Sequence, residues 1–299
     1  MDPQEAALWP IIRDNAVQVV LLLQSSGEDS PISSDSPKSS DSPKSEGSSC
    51  GSGTIIYANE GNILIVTCGH NVLECFTDNA PVRVSFSNNN ADRLFDGVSS
   101  DIYDANVITD QFDAEHEVAI LYVKAPFEKV GARFRQRPME NGLRIMMCSN
   151  TYSHQRFSHV VGHISSRFVP GAMVGHEDLS SLVEYVLATG RGSSYDLSGC
   201  LVAVHTHVKF IMCGCRDKDC AYPGRISRGI PIEAVISTIR KLCNKYSLPA
   251  HDDPYEMLDN VCKSYLKVQP GTNPGFYVWG ARNLTIFFGG AKINFIIFL

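Results

Sequence analysis

Three residues that lie far apart in the sequence have the side chains that nucleophilic acyl transfer requires: His70, Glu117 and Ser198. A serine hydroxyl attacks a carbonyl group when a neighbouring base removes its proton. That base in turn needs an acid that fixes its tautomer and stabilises its cation. The chain order is histidine, acid, serine, with separations of 47 and 81 residues. This order predicts that one half of the chain supplies the base and the acid, and the other half the nucleophile.

The residues around these three positions support this interpretation. His70 comes directly after a predicted strand, Glu117 directly before another, and Ser198 precedes Gly199 in a predicted turn. Asp113 is an alternative acid if its loop folds back. Cys200 is an alternative nucleophile, but the Ser-Gly step favours Ser198.

Short apolar or β-branched runs separated by turn residues are typical of an all-β sandwich or barrel. One helix is expected at Pro231–Leu242, where apolar residues share a face, and a second at His251–Tyr265. The stretch from Phe276 to Leu299 could form an added strand pair. The predicted strands are Asn15–Gln24, Gly51–Tyr57, Asn62–Thr67, Val82–Phe86, Val118–Val123, Arg144–Cys148, His159–Ile164, Glu184–Ala188 and Leu201–Val204.

Composition and charge narrow the classes of partner. The chain has 299 residues and a net charge of −6, which gives no electrostatic reason to expect nucleic acid or an anionic membrane as a partner. The acidic N-terminus lacks the cationic start of a signal peptide, and the apolar run Val19–Leu23 is too short to cross a bilayer. We therefore expect a cytoplasmic or nuclear protein, with most of its ten cysteines as reduced thiols.

Two segments remain open to more than one interpretation. Cys213, Cys215 and Cys220 could bind zinc with His205 or His207, but their spacing is not a common zinc pattern, so a Cys-rich surface hairpin is favoured. Residues 25–49 are rich in serine and proline and are predicted to be disordered. Within them, Ser30, Ser36 and Ser42 each precede proline and could accept phosphate, although a solvated loop without a regulatory role is the simpler interpretation.

Six short motifs, in order along the chain, resemble the trypsin-like serine peptidase superfamily, and within it the Deg-type (HtrA) branch. Each is weak alone, but together they extend from about Asn15 to Leu242. The motifs are Gly51-Ser52-Gly53-Thr54-Ile55-Ile56, Thr67-Cys68-Gly69-His70-Asn71-Val72, Glu117-Val118-Ala119-Ile120-Leu121, Val160-Val161-Gly162-His163-Ile164-Ser165, Ser198-Gly199-Cys200-Leu201-Val202 and Gly229-Ile230-Pro231-Ile232-Glu233-Ala234-Val235.

The resemblance implies an all-β-dominated fold of two six-stranded antiparallel barrels, chymotrypsin-like, with a C-terminal helix. The peptidase domain would cover residues 1–242, with a first barrel at 15–130, a second at 131–242, and an extension of unknown role at 243–299. Too few residues follow Leu242 for a PDZ domain. No cofactor or metal is implied, and the partner would be a protein or peptide substrate.

The resemblance also implies roles for single residues. Ser198 would be the nucleophile, His70 the base and then the acid, and Glu117 the residue that orients His70. Backbone N–H groups of Asp196 and Ser198 would form the oxyanion hole. The family has Asp where this chain has Glu117, and Gly where it has Asp196, whose carboxylate is electrostatically unfavourable beside an oxyanion. The chain is therefore expected to be either a serine endopeptidase, with activity reduced by this loop, or a catalytically inactive protease-fold protein that binds peptides or partner proteins.

Overall fold

A computed structural model describes most of the chain: residues 2–22, 48–73, 75, 81–86, 102–109, 117–149, 158–170, 182–186, 193–205, 226–249, 251–268, 282–288 and 291–297. The chain forms two compact units, Met1–Cys262 and Lys263–Leu299. The predicted disordered segment, apart from Ser48 and Ser49, lies outside the described residues, as do Asp113, His207, the three clustered cysteines and the three Ser-Pro serines.

The first sheet is a closed antiparallel barrel with the strand order β1-β2-β3-β6-β5-β4. Alternate residues point inward, among them Ile63 and Ile65 on β3 and Ala119 and Leu121 on β6, and they form one buried cluster. This confirms the all-β class and the first predicted barrel. The strands are β1 (Ala16–Leu22), β2 (Ser48–Asn59), β3 (Asn62–Cys68), β4 (Val82–Phe86), β5 (Ile102–Val107) and β6 (Val118–Lys124).

A tight turn at Glu60 and Gly61 joins β2 to β3. Both residues have positive φ, at 50° and 73°, as a two-residue hairpin loop of the type I′ class requires. A Cβ on Gly61 would lie 2.2 Å from the carbonyl oxygen of Ala125, so only glycine fits there.

The second sheet has seven strands in the order β11-β8-β9-β10-β13-β12-β7, and β11 also pairs with β12. Its buried cluster includes Ile145, Met147, Ile164 and Val202. The strands are β7 (Arg133–Phe134), β8 (Arg144–Ser149), β9 (Ser158–Val169), β10 (Leu182–Val186), β11 (Ser193–Asp196), β12 (Cys200–His205) and β13 (Ile226–Pro231).

The two sheets contact each other through the outer face of the first barrel. Ile56, Leu64 and Ile120 point away from the barrel interior and are nevertheless fully buried. At the interface, the hydroxyl of Thr54 forms hydrogen bonds with the hydroxyls of Ser193 and Tyr195. Barrel and second sheet are thus packed within one unit.

Three helices complete the described elements: α1 (Pro3–Asn15), α2 (Ile232–Lys245) and α3 (Pro254–Val268). The predictions near α2 and α3 are confirmed with shifted ends, whereas the sequence analysis placed no helix at α1. Asp2 caps α1 by accepting the N–H of Gln4 at 2.9 Å, and Glu5 completes the capping box.

In the second unit, β14 (Arg282–Phe288) and β15 (Ala291–Ile297) form an antiparallel hairpin. Among the described residues, no helix is both long and apolar enough to span a membrane.

Candidate functional site

The ladder between β3 and β6 brings His70 and Glu117 together. Cys68, the last residue of β3, pairs with Val118, the first residue of β6. His70 lies two residues beyond Cys68 in the 3₁₀ turn Gly69–Val72, and Glu117 immediately precedes Val118. The N–H of Gly69 donates to the carbonyl oxygen of Glu117 at 2.8 Å, which extends the ladder by one hydrogen bond.

The side chains of His70 and Glu117 form a hydrogen-bonded pair through Nδ1 and Oε1. The Glu117 side chain is 11% exposed and that of His70 is 34% exposed, so the acid is the inner partner. A carboxylate at Nδ1 favours the tautomer with a proton on that nitrogen, which gives Nε2 the lone pair that a base needs. Glu117 has φ of 52°, a left-handed conformation uncommon for this residue type. From this backbone position, the glutamate side chain, one methylene longer than aspartate, brings its carboxylate to the histidine.

Contacts with β2 and β3 hold the His70 turn in place. The hydroxyl of Thr67 donates to the carbonyl oxygen of Ser52 at 2.9 Å, and Asn71 Nδ2 donates to Thr67 Oγ1 at 2.8 Å. A Cβ at Gly51 would lie 2.3 Å from Asn71 Cγ, so glycine leaves the space that Asn71 occupies. The Gly-Ser-Gly motif thus supports the turn from the neighbouring strand.

The cysteine beside this pair remains a thiol. Burial, with the negative charge of Glu117 nearby, raises the pKa of the Cys68 thiol well above its ordinary value. A neutral buried thiol is a poor nucleophile, because the thiolate is the reactive form. Cys68 is therefore a packing residue behind the His70–Glu117 pair.

Ser198 lies in a tight turn between β11 and β12. The N–H of Gly199 donates to the carbonyl oxygen of Asp196 at 3.0 Å, which closes the turn, and Gly199 has φ of 80°. Glycine is the residue that adopts this conformation without strain. The predicted turn at Ser198 and Gly199 is confirmed.

The carboxylate of Asp196 organises this turn. Its Oδ1 accepts the N–H of Ser198 at 2.8 Å, the hydroxyl of Ser198 at 2.5 Å and the N–H of Cys200 at 3.2 Å. Its Oδ2 is paired with the Arg135 guanidinium, and the residue is only 3% exposed. The buried charge is thus compensated by an arginine and by the donors of the turn.

This arrangement occupies two groups that the sequence analysis assigned to catalysis. The Ser198 N–H, predicted as an oxyanion donor, donates to Asp196, and so does the Ser198 hydroxyl. Ser198 Oγ also lies 3.2 Å from Cys200 Sγ. Among the described residues, no hydrogen bond joins Ser198 to His70. The catalytic roles of Ser198, His70 and Glu117 therefore remain predictions.

Ser198 and Asp196 face a cavity of about 1240 Å³. Its walls come from β2, from the connection around β7, from the start of β8 and from the residues before and within α3. Tyr255 of α3 forms part of one wall: its hydroxyl accepts the N–H of Phe134 at 2.6 Å and donates to the carbonyl oxygen of Ala132 at 3.1 Å. Partial burial raises the pKa of Tyr255 to about 12.

Arg135 and Tyr255 were not predicted from the sequence. The only signal for Arg135 was the alternation of Arg133, Arg135 and Arg137, and nothing in the sequence linked it to Asp196, 61 residues later. Tyr255 lies in the extension to which no role was assigned. The candidate zinc cysteines lie outside the described residues, and within the described part of the chain no group of three potential metal ligands is found.

Neither protein-family models nor curated protein sequences give a match to this chain. Among solved structures, the crystal structure of Deg5 is similar, with a TM-score of 0.52 and 14% sequence identity; the match covers 79% of this chain and 92% of Deg5. At this identity the likeness concerns the fold alone. It supports the fold that the six motifs predicted, without identifying a branch.

Proposed function

We propose that this protein is a serine-type endopeptidase in which Ser198 is the nucleophile, His70 the base and Glu117 the residue that orients His70. The observation that carries the proposal is the His70–Glu117 pair, with the carboxylate at Nδ1. It lies at the end of the β3–β6 ladder, in a fold that is similar to that of Deg5.

In the proposed reaction, Ser198 Oγ attacks the scissile carbonyl carbon while His70 Nε2 takes the hydroxyl proton. The tetrahedral intermediate collapses as His70 gives this proton to the leaving amine nitrogen, and the carbon–nitrogen bond breaks. A water then attacks the acyl-enzyme ester, with His70 again as the base. Ser198 recovers its proton as the peptide acid leaves.

The proposal requires the nucleophile turn to change from the arrangement described here. The Ser198 hydroxyl must break its hydrogen bond to Asp196 and form one to His70. The N–H groups of Ser198 and Asp196 must become available to the oxyanion. The Arg135 guanidinium can hold the Asp196 carboxylate after the turn releases it. Loss of one oxyanion donor typically lowers kcat by about 10²–10³-fold, so the unchanged turn would leave little activity.

The same proposal extends to the domains. Residues 1–242 would form the peptidase domain, with barrels at 15–130 and 131–242, and residues 243–299 an extension. The pairing of β11 with both β8 and β12 supports closure of the second sheet into the second barrel. The substrate would be a protein or peptide, and the proposed chemistry needs no cofactor.

Labelling with a fluorophosphonate probe tests the proposal, because the probe reacts covalently with an activated serine. We expect wild-type protein to be labelled, and Ser198→Ala and His70→Ala to remain unlabelled. Ser85→Ala, at a serine buried in the first barrel, is the control for non-specific reaction. If folded wild-type protein is never labelled, the proposal is wrong.

The contacts of Asp196 favour a second candidate, a catalytically inactive protease-fold protein that binds peptides. In this view the Asp196 carboxylate occupies the donors of Ser198 permanently. Asp196→Gly distinguishes the two. A labelling rate at least about tenfold above that of wild type supports a peptidase restrained by this carboxylate. No labelling of the variant, with peptide binding retained, supports the inactive binding protein.

A further inference from the structure

The cavity beside Ser198 is basic, although the chain as a whole is acidic. Among the described residues that line it, four are arginines (Arg133, Arg135, Arg137 and Arg144) and two are aspartates. The whole chain carries a net charge of −6. A cleft of one sign within a low-dielectric wall concentrates the electric field and attracts ligands of the opposite sign.

Two of the four arginines are already neutralised. Arg135 is paired with the buried carboxylate of Asp196. Arg144 is paired with the side chains of Asp2, which caps α1, and Glu5, in the first turn of that helix. These two pairs shape the wall and leave little attraction for a further anion.

Arg133 and Arg137 differ from this pair. Both are exposed, and within the described part of the chain neither side chain forms an ion pair. Arg133 is held close to the nucleophile turn, because it is the β7 partner of Cys200 in a parallel ladder. Its positive charge also acts on the Tyr255 hydroxyl in the cavity wall. The second aspartate of the lining, Asp253, accepts the N–H of Tyr255 at 2.9 Å. Among the described lining residues, two guanidinium groups outside any ion pair thus stand against one such carboxylate, which leaves a positive balance beside Ser198.

We propose that this cavity is a subsite for the acidic side chains of a peptide, with Arg133 and Arg137 as the residues that bind the carboxylate. The inference rests on the proposed function only in placing a peptide bond at Ser198. Guanidinium groups bind carboxylates through paired hydrogen bonds, which makes arginine the suitable residue for this recognition.

The size of the cavity limits where the acidic residue lies. An extended peptide advances 3.3–3.6 Å per residue, so a cavity of about 1240 Å³ has room for a few residues of substrate. The preferred Asp or Glu therefore lies within a few residues of the peptide bond at Ser198.

The other lining residues favour a peptide over a nucleic acid. Val130, Leu143 and Tyr255 line the same cavity, and Val130 is 80% exposed. An apolar surface beside two cations suits a peptide of mixed character. A long polyanion would meet the negative charge of the rest of the chain.

Binding, rather than turnover, tests the subsite. Full-length Ser198→Ala protein is titrated against fluorescent pools of nine-residue peptides. For each of the nine positions there are two pools, one with Glu and one with Gln at that position. The other eight positions are mixtures of uncharged residues. Fluorescence anisotropy gives the apparent Kd. We expect Glu at one or more positions to bind about tenfold or more tightly than Gln, since a hydrogen bond to a charged group is worth about that factor.

The variants assign the effect to the two arginines. In an Arg133→Gln/Arg137→Gln double variant the preference for Glu falls below about twofold, whereas Arg133→Lys/Arg137→Lys retains part of it. Arg240→Gln, at an exposed arginine of α2 outside the cavity, leaves it unchanged. All variants are checked for unchanged thermal unfolding.

Three results would overturn the subsite: equal binding of Glu and Gln pools, a Glu preference that survives the double glutamine variant, or displacement of the peptide by single-stranded DNA of matched charge at equal concentration. Absence of fluorophosphonate labelling in wild type would refute the peptidase but not this preference. The two proposals therefore fail separately.

Discussion

The N–H and the hydroxyl of Ser198 donate to the same oxygen of Asp196, at 2.8 and 2.5 Å. The Asp196 carboxylate was expected to be unfavourable beside an oxyanion. In the structure it is the acceptor that organises the turn at Ser198. Its other oxygen is paired with Arg135. The turn, the buried carboxylate and the arginine form one coupled unit.

Removal of either partner of the Arg135–Asp196 pair should be strongly destabilising. Arg135→Met leaves a buried carboxylate without its cation, and Asp196→Gly leaves a guanidinium that is 15% exposed without its anion. Each change should lower the free energy of unfolding by about 3–5 kcal/mol. The double variant should lose clearly less than the sum, because neither charge is then unpaired. Urea denaturation of the four proteins measures this coupling; strictly additive losses would contradict it.

Glu117→Gln should reduce the reactivity of Ser198 without unfolding the protein. Glutamine keeps the size of the side chain but removes the negative charge that orients and stabilises His70. Loss of the orienting carboxylate in a serine–histidine pair has cost about 10⁴-fold in kcat elsewhere, so we expect a decrease of about 10²–10⁴-fold in labelling rate. Glu60→Gln is a matched control, because Glu60 is also a glutamate with positive φ but lies in the exposed β2–β3 turn. A labelling rate equal to that of wild type would remove Glu117 from the mechanism.

Gly51→Ala, on the neighbouring strand β2, should displace the turn that carries His70. The new methyl group would lie 2.3 Å from Asn71 Cγ, so Asn71 must move and lose its hydrogen bond to Thr67. We expect a loss of about 0.5–1.5 kcal/mol in the free energy of unfolding and a decrease in labelling rate. Gly51→Ala/Asn71→Ala removes the collision and should restore part of the stability. If the single and double variants are equally unstable, Asn71 is not the residue that the methyl group displaces.

Stability should decrease on the alkaline side. Burial raises the pKa of the Cys148 thiol from its ordinary value near 9 to about 12, and the pKa of Tyr255 is also about 12. Because these pKa values are higher in the folded state, the unfolded chain loses its protons first as the pH rises. The stabilisation is complete below about pH 9 and is lost progressively towards pH 12, at up to about 1.4 kcal/mol per pH unit for the buried Cys148. Tyr255 contributes less, because it is only partly buried and solvent screens its interactions.

Unfolding midpoints between pH 8 and pH 11 measure this effect. Cys148→Ala should lower the midpoint at pH 8, because it leaves a small cavity, and should also flatten the decrease above pH 9. A slope identical to that of wild type would show that Cys148 does not contribute. Cys75→Ala, at a cysteine that is only partly buried, should change the slope less.

Local patterns in the sequence predicted five of the six strands of the first barrel, whereas β5 was missed, and they placed His70 and Glu117 next to strand ends. Alternating apolar residues define β3 and β6, and their antiparallel pairing at Cys68 and Val118 places the two side chains at one end of the ladder. Helix α1 was missed because Pro10 lies inside it and its apolar residues do not form a clear stripe, although Asp2, Pro3 and Glu5 carry a capping signal. In the second sheet β7, β11 and β13 were missed. β7 has two residues and β11 four, and β13 leads directly into the helix that was predicted from Pro231.

What the sequence could not predict are contacts between distant residues. Arg135 and Asp196 are 61 residues apart, and Arg144 and Glu5 are 139 apart. No local pattern links such residues, because their pairing depends on how the two sheets and α1 pack. The turn at Ser198 was predicted from Ser198 and Gly199. That the Asp196 carboxylate accepts the N–H and the hydroxyl of Ser198 could be seen only in the three-dimensional structure.

The position of the His70–Glu117 pair within the first barrel also has a consequence for synthesis on the ribosome. The strands of that barrel end at Lys124, so the base and its acid can assemble before the segment that carries Ser198 has been translated. Domains of nascent chains tend to fold in this N-to-C order. In the proposed peptidase, a nascent chain would therefore hold the His70–Glu117 pair but no nucleophile, and could not cleave itself or its neighbours until the second sheet had joined the first.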